Sequence, residues 1–206
     1  MNLLPEKTVE RLSQYRRMLL KHYCKEKQFI FSHELAALLH FTPVQVRRDL
    51  MLIGCSGSQR KGYDIKNLIK LMGEIIDSKY GQNVALIGVG NLGRAIMRYL
   101  NKKNSNLKIV AAFDINPDKI NKELGGVNCH HSDELSEVLK KENITIGIIC
   151  VPAEQALQVA DSLVKSGVKG ILNFTTATLN FGDDVFLEEY DMITSLEKVA
   201  YFSKKR

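Results

Sequence analysis

The spacing of apolar residues changes character near residue 80. Before it, apolar positions recur at intervals of three and four; beyond it, short continuous apolar runs alternate with amphipathic stretches. Val9, Leu12, Tyr15, Leu19 and Tyr23 fall on one stripe and predict a helix over Thr8–Lys25. Phe31–Leu39 predicts a short helix capped by Ser32 and broken at His40-Phe41. Thr42 then suits an N-cap, Pro43 the first helical position, and Gln45 the third position of a capping box. This third helix runs to about Ile53, where Gly54 stops it. Gly57–Ile65 reads as a glycine-flanked hairpin tip, and Lys66–Asp77 as a further helix. A boundary is expected at Lys79-Tyr80-Gly81-Gln82.

Beyond it, Asn83–Ile87 has the composition of a strand buried on both faces. Strands are also expected at Lys108–Phe113, Gly126–Asn128, Ile144–Pro152, Gly170–Phe174 and Asp191–Ile193. Helices are expected at Asp133–Lys141, Glu154–Lys165 and Leu196–Lys204. Alternating strands and helices of this kind build a doubly wound parallel sheet. The α/β chain therefore divides into residues 1–80, 81–192 and a terminal helix within 193–206.

Charge separates the first two parts. Residues 1–80 hold 14 Lys and Arg against 8 Asp and Glu, whereas residues 81–206 hold 15 of each. The whole surplus of six positive charges lies in the N-terminal part, which makes that part the candidate for a polyanionic partner. Two short helices joined by a tight turn, after a longer helix and before a basic hairpin, describe a winged helix-turn-helix. Thr42, Pro43, Gln45, Arg47 and Arg48 would then lie on the recognition helix, with Ser32 on the helix before it. Arg and Gln make bidentate contacts to base edges, and Arg60 and Lys61, with Ser58 and Tyr63 on the wing, suit phosphates or the minor groove. The same features also fit a small helical docking domain with solvated charges.

Gly88-Val89-Gly90-Asn91-Leu92-Gly93 matches G-x-G-x-x-G between a strand and a helix. Gly88 permits the turn, Gly90 admits a pyrophosphate, and Gly93 lets the helix pack close. The helix start adds amide donors for phosphates. Asp114 ends the next strand, 21 residues after Gly93, where a carboxylate accepts from adenine ribose hydroxyls and repels a 2′-phosphate. No arginine follows in Ile115-Asn116-Pro117-Asp118, so NAD(H) is expected over NADP(H). Val151, Pro152 and Asn173 would line the nicotinamide end of this Rossmann-like cleft. A Rossmann-like domain for coenzyme A or for no nucleotide stays open at this point.

No apolar run approaches the ~20 residues of a membrane span, and the first 20 residues are too charged for a signal peptide; a cytoplasmic protein is expected. Cys24, Cys55, Cys129 and Cys150 form no C-x-x-C pair or disulfide framework, and no metal site is expected.

The chain resembles the Rex family of redox-sensing transcriptional repressors. The resemblance is carried by Arg11-Leu12, Tyr15, Arg17 and Leu19, by Gln45–Leu50, Gly62-Tyr63, the Gly88–Gly93 turn and Phe113-Asp114. Val151-Pro152, Gly170–Phe174 and Asp191 complete it. It implies a homodimer with a domain-swapped C-terminal helix that inserts between the partner's two domains. It also implies operator binding when NADH is low, and release when NADH draws the Rossmann domains together. By position, Arg17, Tyr99 and Asp191 would form the family's redox switch, and Tyr99 and Met192 would reach the nicotinamide. On the residues alone, Tyr99 covers its helix, Arg17 is a surface charge or phosphate contact, and Asp191 is a cap. The likeness departs at the wing, at Thr175-Thr176 where the family has Ala-Pro, and at Met192 where it often has an aromatic.

Two other functions compete with the repressor. One is a small NAD-dependent dehydrogenase, against which only 32 residues follow Phe174 and no acid–base pair stands near the nicotinamide end. The other is a nucleotide-gated interaction module without a DNA role.

Overall fold

The computed structural model describes residues 3–23, 27–79, 81–101 and 106–204. The chain forms two compact units, Met1–Lys79 and Tyr80–Arg206.

The first unit contains α1 (Glu6–Tyr23), β1 (Phe29–Ile30), α2 (Ser32–Leu39), α3 (Pro43–Leu52), β2 (Tyr63–Asp64) and α4 (Ile65–Ile76). Leu12, Tyr15 and Leu19 of α1 are fully buried with Leu35 of α2, Leu50 of α3 and Leu68 of α4. Lys25, the expected end of α1, and Cys24 lie outside the described residues. β1, not expected from the sequence, pairs antiparallel with β2. Together with the Ser58–Gly62 bridge, this pairing closes the wing.

Cap positions decide where the helices begin. Thr42 Oγ1 accepts the Gln45 amide at 3.2 Å, with Pro43 at N1, as expected; Gln45's side chain makes no reciprocal bond among the described residues. Thr42→Ala should cost ~0.5–2 kcal/mol of stability, measurable by urea unfolding. Ser32 is not the cap of α2. It lies inside the helix, and Glu34 Oε2 instead accepts the Phe31 amide at 2.8 Å. Asp64 accepts the Asn67 amide at 2.7 Å and starts α4 one residue earlier than expected.

A buried polar triad ties α1 to α3. Asp49, 1% exposed, receives both Nε and Nη2 of Arg11 at 2.7 Å, and the Tyr15 hydroxyl at 2.8 Å. Burial, then the neighbouring Asp49 carboxylate, raises the Tyr15 pKa; the hydrogen bond to Asp49 raises that of Arg11.

The second unit is built on β3 (Gln82–Ile87), α5 (Asn91–Asn101), β4 (Leu107–Asp114), β5 (Glu123–Leu124), β6 (Val127–His131) and α6 (Leu135–Lys141). It continues through β7 (Ile144–Ile149), α7 (Ala153–Lys165), β8 (Gly170–Asn173), β9 (Phe186–Glu189) and α8 (Met192–Ser203). The sheet order is β5-β6-β4-β3-β7-β8-β9, parallel except for the β5–β6 pair. Alternate residues of β3 serve two cores: Ala85 and Ile87 pack with α6 and α7, and Val84 and Leu86 with Met97 of α5.

The sheet differs from expectation at its edges. β5 and β9 were not foreseen, and β6 extends to His131. Asp191-Met192-Ile193 is not a strand. Asp191 Oδ1 accepts the Ile193 amide at 2.8 Å and Oδ2 accepts the Thr194 hydroxyl, which nucleates α8 at Met192. Every residue of α8 described for burial is exposed, including Met192, Ile193, Leu196, Val199 and Phe202.

Candidate functional site

β3 ends at Ile87, and the chain turns at Gly88 with φ +94°. A Cβ there would stand 2.5 Å from the Cys150 carbonyl oxygen, so both conformation and space require glycine. The Gly88 amide donates to the Phe113 carbonyl at 2.8 Å and docks the turn on β4. A Cβ on Gly93 would fall 2.1 Å from the Gly88 carbonyl oxygen; without one, α5 presses onto the turn. Gly90 has open space around it, as a pyrophosphate approach requires. Asn91 and Leu92 begin α5 and are exposed, where first-turn amides lack intrahelical partners. The Val89 side chain is buried in the core, so its contribution to the cleft is its amide.

That amide donates to Asp114 Oδ2 at 2.9 Å. Lys119 Nζ reaches the same oxygen at 2.8 Å, and the Asn116 amide donates to Oδ1 at 2.9 Å. Burial pushes the Asp114 pKa up, but Lys119 and the two amides outweigh it and hold the carboxyl below its ordinary value.

These groups line a cleft of about 580 Å³ at the carboxyl ends of β3, β4 and β7, where the sheet order reverses. Gly88, Gly90, Asp114, Ile115, Val151 and Pro152 lie in it as the sequence suggested. Lys119, Ser132, Asp133, Cys150, Gln155 and Gln158 lie in it unannounced. Burial pushes the Cys150 thiol up to about 12, so it is a neutral wall.

Asn173 does not line the cleft. It is fully buried: its Nδ2 donates to the Ala177 carbonyl, and its Oδ1 accepts from the amide and hydroxyl of Thr175. It shapes the loop after β8. Tyr99 on α5 and Met192 on α8 are exposed and do not border this cleft. Asp191 is the cap of α8; the Thr194 hydroxyl and the Ile193 amide hold its carboxyl below the usual range. Among the described residues no three His, Cys, Asp or Glu converge as a metal site.

In the first unit, Arg47 and Arg48 project from the exposed face of α3, flanked by exposed Val44 and Met51. That stripe, with Leu52, follows helical spacing, so the two apolar neighbours could have been found by counting from the arginines. Gln45 is half-buried. Ser32 is buried, and its hydroxyl accepts from Arg47 Nη1 at 3.2 Å, so it steadies Arg47 rather than facing outward. On the wing, Ser58 Oγ accepts the Arg60 and Lys61 amides, and Lys61 Nζ stands 5.7 Å over the Phe29 ring. The Tyr63 ring fills the space where a Gly57 side chain would be, so Tyr63 braces the wing. On α1, Arg16 donates to both oxygens of Asp77 at 2.7 and 2.6 Å, while Arg17 is exposed.

Comparison with known proteins covers both units. Residues 4–50 match a family described as "Putative DNA-binding protein N-terminus", and residues 79–177 match "CoA binding domain". The redox-sensing transcriptional repressor Rex of Anoxybacillus flavithermus is 39% identical over 201 residues, spanning 98% of this chain and 94% of that protein. The Rex of Lactobacillus gasseri is 36% identical over 199 residues, spanning 97% and 93%. The solved structure of RSP in complex with β-NAD+ and operator DNA superimposes with a TM-score of 0.91 at 31% identity, covering 100% of this chain and 94% of that one. RSP, a Rex-family repressor, is also solved in complex with β-NADH; that structure gives 0.87 at 30% identity, covering 100% and 96%.

Proposed function

The chain belongs to the Rex family of redox-sensing transcriptional repressors, and from that premise we propose that it binds operator DNA when NADH is low and lets go when NADH occupies the Gly88–Gly93 cleft. The observation that carries this reading is the cleft itself: a bare-glycine turn docked by backbone bonds, with Asp114 aimed at the turn. A carboxylate there suits an unphosphorylated ribose, which favours NAD(H) over coenzyme A with its 3′-phosphate. Cys150, Val151 and Pro152 form an uncharged wall, and desolvating the cationic ring of NAD+ against it costs more than desolvating neutral NADH.

DNA is read by α3 and the wing: Arg47 and Arg48 at base edges, Arg60 and Lys61 at phosphates, Thr42 and Pro43 at the helix start. The working form is a cytoplasmic homodimer, with α8 exchanged between copies. The uncovered apolar residues of α8 support this, since contiguous exposed apolar surface marks a contact site. Arg17 is exposed, which supports its assignment to the family's switch with Tyr99 and Asp191. A dimer reading half-sites one helical turn apart is sensitive to small rotations, so a coupling of ~1–3 kcal/mol changes affinity ~5–150-fold.

The test is a band-shift titration on promoter DNA that the protein binds without nucleotide. NADH should weaken binding within that range, while NAD+ leaves it nearly unchanged. Equal retention under both nucleotides would overturn the sensor reading.

A further inference from the structure

The Asp114–Lys119 pair carries a consequence for nucleotide choice, and it rests on the dinucleotide reading above. A carboxylate offers about four lone-pair positions. Three are filled here: Oδ2 by the Val89 amide and the Lys119 ammonium, Oδ1 by the Asn116 amide. A ribose diol brings two hydroxyl donors, and one open position cannot take both. The two amides belong to the backbone of the turns after β3 and β4. The ammonium ends a flexible four-carbon stem and is the donor free to move.

A ribose that used both hydroxyls on Asp114 would require Lys119 to give way. It remains tethered five residues past Asp114, in a cleft it already lines. Among the described residues of that lining, Asp133 is a further carboxylate and lies mostly in solvent beside His131, and the buried Cys150 thiol is neutral. The ribose edge thus faces a carboxylate and an ammonium together, rather than a bare carboxylate.

We propose that Lys119 is a latent cation for a ribose 2′-phosphate, masked by Asp114, so that preference for NADH over NADPH reflects these two side chains acting against each other. Neutralising Asp114 unmasks the site. The ammonium then has no carboxylate to hold and takes the phosphomonoester as a charge-assisted partner.

The experiment measures the Kd of NADH and of NADPH by nicotinamide fluorescence, on the full chain, in five forms: parent, Asp114→Asn, Lys119→Met, the double variant of these two, and Asp114→Asn with Lys119→Arg. Asn keeps an oxygen acceptor for one of the two backbone amides, and far-ultraviolet circular dichroism of each form reports an intact fold. Asp114→Asn should shift the Kd ratio toward NADPH by about tenfold or more, the worth of one charge-assisted hydrogen bond. The double variant should lose that gain, Lys119→Met alone should push the ratio further toward NADH, and Asp114→Asn with Lys119→Arg should keep the gain. If Asp114→Asn shifts the ratio equally with and without Lys119, the proposal fails while the dinucleotide reading stands. If the parent binds neither nucleotide, it is the dinucleotide reading that fails.

Discussion

Arg47→Ala combined with Arg48→Ala will lower operator affinity by roughly 10²- to 10⁴-fold, on ~1–3 kcal/mol for each bidentate base contact. NADH binding should be unchanged, because both residues lie in the first compact unit and the cleft lies wholly in the second. Fluorescence anisotropy against salt concentration separates the two arginines. An arginine on a phosphate reduces the slope of log affinity against log salt by about one when removed, whereas one on a base edge chiefly relaxes sequence choice. Arg47 has the more fixed geometry, since Ser32 holds its Nη1. Parallel loss of NADH binding would overturn the division of labour between the units.

Asp49→Ala should destabilise the first unit by ~3–5 kcal/mol, because it strands the Arg11 guanidinium in a half-closed site and leaves the Tyr15 hydroxyl without its acceptor. Urea unfolding followed by far-ultraviolet circular dichroism will show an early transition, with NADH fluorescence persisting beyond it. The loss comes from removing one partner. Replacing all three with apolar residues of matching volume, Arg11→Met, Tyr15→Phe and Asp49→Leu, should recover most of it. Failure of that triple variant to recover would mean that the triad also dictates how α3 is seated on α1.

What could be read from the chain depended on whether the cause was local. The glycine turn was legible because each glycine answers a constraint within a few residues: Gly88 a positive φ, Gly93 a carbonyl beneath the helix. Thr42 and Pro43 marked their helix for the same reason. Asn173 was misplaced because its direction follows from the pleat of β8. Alternate residues face alternate sides, so Asn173 points inward with Ile171. Lys119 escaped notice because its partner lies five residues back across an irregular turn, a spacing that no helix or strand makes periodic. Asp191-Met192-Ile193 looked like a strand by apolar content, yet one carboxylate on the Ile193 amide made it a helix start. The strand that does close the edge, Phe186–Glu189, ends in two glutamates and is mostly exposed, so it lacked the apolar run that marks its neighbours.

The bare apolar side of α8 bears on gene dosage. On the proposed exchange of this helix between copies, the competent species depends on how much protein the cell holds, by mass action. Scarce chains would stay unpaired and silent at the promoter whatever the coenzyme pool. The redox signal would then be heard only above a threshold of abundance, and any control over synthesis of the repressor would set the gain of the sensor as well as its amount.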